Sequence, residues 1–284
     1  MKFLKILNIN FSKVKYNLNK TANTYEKYEN FFKKIESNLL KNLIFFNYKP
    51  NNILNLGANT GNFTLEMYKK FSIEKIFNLD LSEKRLKIAK KKNIQNILVS
   101  YSHKMPFPKE SLDMIVSNLH IHWYNSNLKE LFVEIYSLLK NHGLFLFSSF
   151  GPKTLQELKL AWDKIDNYIH IHPMVGICDI GNILSNIGYK NIVINTEKYK
   201  IYYLHPKYLL KDIKALGLTN CIKFSFSKFY TPNQLLKFYQ SYPKNKLIDS
   251  PYTATIEVIY GIGWKKIQDV KNQKKYINIA NIIK

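Results

Sequence analysis

A short, mostly apolar run, Ile53-Leu54-Asn55-Leu56, stops at Gly57, and a second glycine, Gly61, opens a stretch with helical spacing that lasts to position 71. Strand, tight turn and helix in that order leave few folds open. A strand that hands over to a helix through a short turn is followed by a parallel neighbour, reached by a right-handed crossover. The chain repeats the unit. Lys75-Ile76-Phe77-Asn78-Leu79 is a second such run, closed by Asp80, and Ser82 is placed to cap a helix over 83–92. Further strands are expected at 96–100, 112–117 and 143–150, with a helix at 127–140. The runs are continuously apolar, as strands covered on both faces should be. The rhythm predicts an α/β fold built on a doubly wound, mostly parallel sheet.

On either side the pattern differs. Residues 21–46 carry one helical stripe (Tyr25, Tyr28, Phe31, Phe32, Ile35, Leu39, Leu43) that breaks at 47–52. After 150, helices are expected at 154–165, 179–187, 206–216 and 232–239. A strand or hairpin arm is expected at 191–204, and a β-rich run at 253–260. There is no internal repeat. The expected organisation is one domain over 1–264, with an N-terminal helical segment (1–48), a ligand-binding core (49–150), then inserted helices and later strands (151–250). The tail, 265–284, carries no recognisable chemistry. Inserted helices would lie over the carboxyl ends of the strands, where open α/β sheets bind ligands.

Spacing narrows the ligand. A dinucleotide loop would need glycines at 59 and 62, and both are Asn. The phosphate-cradling G-x-x-x-x-G-K-[ST] also fails. What remains is Gly57-x-x-x-Gly61 with Asp80 closing the next strand. A carboxylate there can accept hydrogen bonds from both hydroxyls of a ribose, so the loop suits a nucleoside that has no pyrophosphate.

Composition bounds the partners. The formal net charge is +23, yet Arg85 is the only arginine among 43 basic residues. Reading base edges favours the forked guanidinium, so no nucleic-acid partner is expected. Lys, Asn, Ile, Tyr and Phe share A/T-rich codons, and codon bias accounts for much of the lysine excess. An acidic protein partner stays compatible with the rest. Cys178 and Cys221 are too few for a disulfide framework. No apolar run approaches the roughly 20 residues of a membrane span, and residues 1–10 lack the uninterrupted apolar centre of a signal peptide. A cytoplasmic protein without a membrane partner is expected.

The glycine turn and Asp80 resemble the S-adenosylmethionine loop of class I methyltransferases. Met105-Pro106-Phe107 followed by Leu112-Asp113-Met114-Ile115-Val116-Ser117-Asn118 is similar to that family's fourth strand. Leu138-Leu139-Lys140-Asn141-His142-Gly143 resembles the turn into its fifth. A narrower resemblance runs from about 19 to 264. It rests on Ser148-Ser149-Phe150-Gly151-Pro152-Lys153-Thr154-Leu155, Asp166-x-x-x-His170, Cys178-Asp179-Ile180-Gly181, Leu210-x-Asp212-x-Lys214-x-Leu216-Gly217 and Glu257-Val258-Ile259-Tyr260-Gly261-x-Gly263-Trp264. Together these resemble the malonyl-acyl carrier protein O-methyltransferases of biotin synthesis. A sister family, the arginine hydroxylases of respiratory complex I assembly, shares several of them.

The resemblance implies a seven-stranded Rossmann-like sheet with lid helices and S-adenosylmethionine as cofactor. It also implies methyl transfer to the free carboxylate of a malonyl thioester on an acidic acyl carrier protein. Cofactor contacts would come from Asn55, Gly57, Ala58, Asn59, Gly61, Asp80, Leu81, Ser102 and Ser117. The family usually has Asp where Asn55 stands, Gly where Asn59 stands and Asp near Tyr101, so Asn55 and Ser102 are expected to substitute. A carboxylate is already ionised at neutral pH, so no general base is needed. Tyr25, Trp123 and His120 are the catalytic candidates, as lid aromatics and cleft residues. Tyr28, His122, His170, Lys211 and Lys214 are the candidates for substrate and carrier. No metal is expected, because His120 and His122 lack a third ligand nearby. The alternatives are a hydroxylase or another methyl acceptor on the same scaffold, or a non-catalytic assembly or binding protein with a degraded cofactor site.

Overall fold

The computed structural model describes residues 8–44, 48–71, 73–223, 230–245 and 251–266. Its strands are β1 (Asn52–Leu56), β2 (Lys75–Asp80), β3 (Ile97–Val99), β4 (Leu112–Ser117), β5 (Leu139–Phe150), β6 (Lys190–Tyr203) and β7 (Tyr252–Trp264). They form one seven-stranded sheet in the order β3-β2-β1-β4-β5-β7-β6. The first five are parallel; β7 runs antiparallel to both β5 and β6. The order reverses between β1 and β4, which opens a crevice at their carboxyl ends.

Alternation along the strands explains the two main cores. Leu54, Leu56, Ile115, Phe145 and Phe147 face one layer with Phe132, Ile135 and Leu184. Ile53, Met114, Val116, Leu144 and Leu146 face the other, packed on Ile35, Leu39 and Leu40. The helices are α1 (Phe11–Lys20), α2 (Ala22–Tyr28), α3 (Asn30–Ile44), α4 (Asn62–Lys70), α5 (Glu83–Lys91), α6 (Leu128–Leu138), α7 (Gln156–Trp162), α8 (Ile177–Ile187), α9 (Pro206–Leu216) and α10 (Pro232–Ser241). Leu158 and Trp162 of α7, Leu209 of α9 and Phe238 of α10 build a third core with the start of β7, so the inserted helices form a cap with its own apolar interior.

Several expectations shift. The stripe over 21–46 is not one helix. It breaks at Thr21 and Glu29, both outside helical geometry (ψ 7° and 4°), and Glu29 turns a buried carboxylate inward. An unexpected helix, α1, precedes it, its N-cap Asn10 accepting from the Lys13 N–H at 3.0 Å. The helix expected at 127–140 ends at Leu138, and β5 starts at once with Leu139. Lys140, on that strand, pairs with Asp113 of β4 at 2.8 Å. The segment 191–204, open between strand and hairpin arm, is a single long strand against β7. The run expected at 253–260 continues through Gly261 and Gly263 to Trp264. Glycine is required at 261, where a Cβ would sit 2.1 Å from the Phe147 ring. Of the tail, 267–284 lies outside the described residues.

Candidate active site

The turn after β1 is set by backbone bonds. Gly57 and Ala58 both donate to the Leu79 carbonyl, at 2.8 and 3.0 Å. Gly57 and Gly61 have φ of +84° and +82°, conformations that favour glycine. Asn59 also has positive φ (+50°), which Asn tolerates better than most residues. Asp80 is buried. One of its oxygens accepts from the Asn59 N–H at 2.9 Å and the other from the Ser82 N–H at 2.7 Å. A carboxylate oxygen accepts more than one bond, so Asp80 keeps capacity for ligand hydroxyls while it braces the loop. Leu81 is buried beside it.

Three expected cofactor contacts are engaged elsewhere. Asn55 lies beneath the loop: its amide donates to Thr64 Oγ1 at 2.9 Å, and Thr64 in turn donates to Asn78. Its carbonyl oxygen is buried without a partner. The Ser117 hydroxyl donates to the Leu56 carbonyl at 3.0 Å and ties β4 to β1. Ser102 shares a 2.7 Å hydrogen bond with His120 Nε2, and its N–H donates to the Tyr124 hydroxyl at 2.9 Å. The His120 ring lies directly over Gly57, where a Cβ would come within 2.4 Å of it. Burial holds His120 below the ordinary histidine pKa, partly countered by the nearby Asp80 charge.

Arg85 draws the rest of the loop together. This buried side chain donates to Asn59 Oδ1, to Thr21 Oγ1 at 3.1 Å and to the Leu216 carbonyl at 2.8 Å. Its guanidinium also covers the Tyr25 ring at 4.2 Å. The loop, the start of α2 and the end of α9 therefore meet on one cation. Tyr25 is buried beneath it, with a phenol pKa pushed well up by burial. Two carboxylates that the sequence reading passed over, Glu29 and Glu36, line the same small hollow as Tyr25, Gly57, Ala58 and Asn118. Glu29 accepts from Asn62 and pairs with Lys33 at 3.1 Å. Burial first, and then the neighbouring Glu29 charge, raise the Glu36 carboxyl to about 8.

In kind, these residues fit a nucleoside carrying a cation: a turn without side chains, a braced Asp80 and buried acids. In room they do not yet. The hollow measures about 10 Å³, enough for about one water. The His120 ring covers Gly57, one of the residues that line this hollow.

A second space, about 470 Å³, opens where the sheet's carboxyl ends meet the cap, well within the range of ligand pockets. The structure brings Tyr28, His122, Trp123, His170 and Lys214 together on its wall. Lys211 is not there: it is exposed on α9 and does not line the space. His170 is held by its surroundings, stacked on Trp162 (4.3 Å, 10°) and bonded to Asp166 at 2.7 Å. His122 belongs to a 3-10 segment, Ile121–Asn127, which the sequence pattern did not announce. His120 faces the loop and His122, two residues on, faces the cavity, so this segment stands between the two spaces. Among the described residues no group of three or more side chains could hold a metal, and no helix is long and apolar enough to cross a membrane.

An open sheet of this order, with a glycine turn after β1 and a carboxylate closing β2, is that of a class I S-adenosylmethionine-dependent methyltransferase. Residues 54–147 match the model of the methyltransferase domain family. The YcgJ protein of Bacillus subtilis has a similar fold, with a TM-score of 0.58 at 14% identity over 80% of this chain and 97% of that one. Malonyl-acyl carrier protein O-methyltransferase 1 of Coxiella burnetii is 32% identical over 87% of this chain and 86% of its own length. The human mitochondrial arginine hydroxylase NDUFAF5 is 27% identical over 75% of this chain and 63% of its own length. The chain belongs to the malonyl-acyl carrier protein O-methyltransferase family, and its cofactor is S-adenosylmethionine.

Proposed function

We propose that the protein methylates the free carboxylate of malonyl-acyl carrier protein in the cytoplasm, giving the methyl ester that opens biotin synthesis. The observation that carries the substrate is the 32% identity to the Coxiella burnetii enzyme over most of both chains. The large cavity supports it, because it adjoins the loop through the His120–His122 segment and is walled mainly by apolar side chains. When bound, the cofactor supplies a methyl group on a positively charged sulfur. The acceptor carboxylate is already ionised at neutral pH. No proton moves, so the chain needs no general base. Its tasks are alignment and the exclusion of water. Trp123, Phe150 and Phe32 line the cavity and keep it dry. Tyr25 and Tyr28 belong to the helix that closes over both spaces, and Asp80 with the Gly57 turn would hold the nucleoside. Lys211 and Lys214, both exposed on α9, form a basic rim for an acidic carrier.

Growth of a bacterium unable to make the pimeloyl precursor of biotin, restored by this chain and not by an Asp80→Ala variant, would bear the reading out; no growth with soluble wild-type protein would count against it. The second reading, hydroxylation of a protein arginine, is favoured by the likeness to NDUFAF5. Product mass separates the two, as one methyl gained or one oxygen gained.

A further inference from the structure

The residues that would hold the acceptor's carboxylate are not marked by charge. Asp212 and Lys214 are the charged side chains on the cavity wall. Asp212 accepts from the Tyr203 hydroxyl at 3.0 Å, and Lys214 is exposed. Most of the remaining wall is aromatic and aliphatic, and of its other polar side chains Thr154, Tyr203, Thr219 and Asn220 already have partners within the protein. A carboxylate brought there must find hydrogen bonds, since a buried charge without partners is strongly disfavoured.

The three histidines on this wall differ. His170 already has partners in Asp166 and in the Tyr230 hydroxyl, 3.3 Å away. His122 and His172 do not: both residues are more than nine-tenths buried, and the Nδ1 atom of each is buried with no hydrogen-bond partner. They approach from different elements. His122 sits in the 3-10 segment after β4, next to Trp123 at 4.8 Å between ring centres and Phe150 at 4.9 Å. His172 lies in the loop before α8, with its ring 6.4 Å from Trp123. Two unpartnered imidazoles on one apolar wall form a polar pair whose ligand the protein itself does not supply. Burial holds both below the ordinary histidine range, His172 at about 4, so each ring is neutral and presents one N–H.

We infer that His122 and His172 together hold the carboxylate of the methyl acceptor by N–H donation, and so select acids over neutral acyl groups. The inference rests on the reading that a carboxylate is methylated. Neutral donors suit the reaction: they position the anion without neutralising the oxygen that must attack. His172 thus becomes a binding residue, while the motif histidine, His170, is a structural one.

The test uses full-length protein, S-adenosylmethionine and malonyl-pantetheine, with propionyl-pantetheine, which lacks the acid, as competing ligand. Wild type should bind the acid at least tenfold more tightly than the propionyl compound. His122→Phe and His172→Phe should each raise KM for the acid tenfold or more, leave kcat within about threefold, and erase the preference. His122→Asn and His172→Gln, which keep an N–H, should recover most of the loss. Cofactor affinity and Tm, measured on every variant, report folding. Phe variants that fold, bind cofactor and keep the wild-type KM would overturn the inference, as would a fall in kcat alone. Wild type that methylates neither malonyl-pantetheine nor malonyl-acyl carrier protein would instead overturn the proposed function.

Discussion

Glu36 gives the sharpest physical prediction. It sits on the inward face of α3 between Phe32 and Leu39, and its Oε1 accepts a 3.4 Å bond from Asn118. The folded chain holds its proton to about pH 8, whereas an exposed carboxyl releases it near 4.5. Each pH unit between those values is worth about 1.4 kcal/mol. Because the folded-state value is the raised one, the contribution is fully present below about pH 4.5 and is lost as pH climbs through about 8. The whole interval amounts to about 5 kcal/mol. Glu36→Gln keeps the shape and the Asn118 contact but has no proton to lose. The variant should match wild type near pH 4.5, then become progressively more stable than it, with Tm ahead by about 10 °C at pH 8.5 if each kcal/mol shifts Tm by about 2–4 °C. Thermal unfolding of both proteins across that pH range reads the gap directly, since other titrating groups cancel in the difference. Parallel curves, with the same gap at pH 5 and pH 8.5, would refute the reasoning.

Other outcomes follow from the same geometry. Asp80→Asn removes the charge that braces the loop and that, in the proposed reading, would accept from the ribose hydroxyls; a hydrogen bond to a charged group is worth about 1.5–3 kcal/mol, so calorimetry should show cofactor affinity falling about 10- to 100-fold. Arg85→Lys loses the fork that joins Asn59, Thr21 and Leu216. Hydrogen exchange should speed up over α2 and the end of α9, with Tm down by several degrees, while β4 and β5 stay protected. Lys211→Glu with Lys214→Glu should raise KM for the carrier-bound substrate, most strongly at low salt, and leave the pantetheine-bound substrate nearly unchanged. An equal effect on both substrates would remove α9 from the carrier's path.

Much of the scaffold was legible because its signals are local. The run from Ile53 to Leu56, the Gly57 turn, Asp80 and the Ser82 cap each announce themselves within a few residues, and the alternation of strands and helices fixes their order. What stayed hidden depends on distant partners. Arg85 meets Thr21 and Leu216, which lie 64 and 131 residues away, so the sequence reading saw only a lone arginine. His120 could be placed at the end of β4, but nothing in the sequence says that its ring covers Gly57. Likewise the spacing of His170 and His172 gives no hint that only the first has partners. Glu29 and Glu36 were within reach: both fall on the apolar stripe of the N-terminal helices, where a carboxylate is out of pattern. Asn55 matches the position of the family's acidic residue, but the sequence could not say that its amide nitrogen is engaged below the loop with Thr64 while its side-chain oxygen has no partner.

The central claim is that this cleft passes a methyl group to a malonyl carboxylate. Intact mass measurement of malonyl-loaded acyl carrier protein, after incubation with the enzyme and S-adenosylmethionine, tests it most directly. The account predicts a gain of one methyl, removable by ester hydrolysis and absent when the malonyl group is replaced by propionyl. An unchanged carrier, with protein that is folded and binds the cofactor, would contradict it.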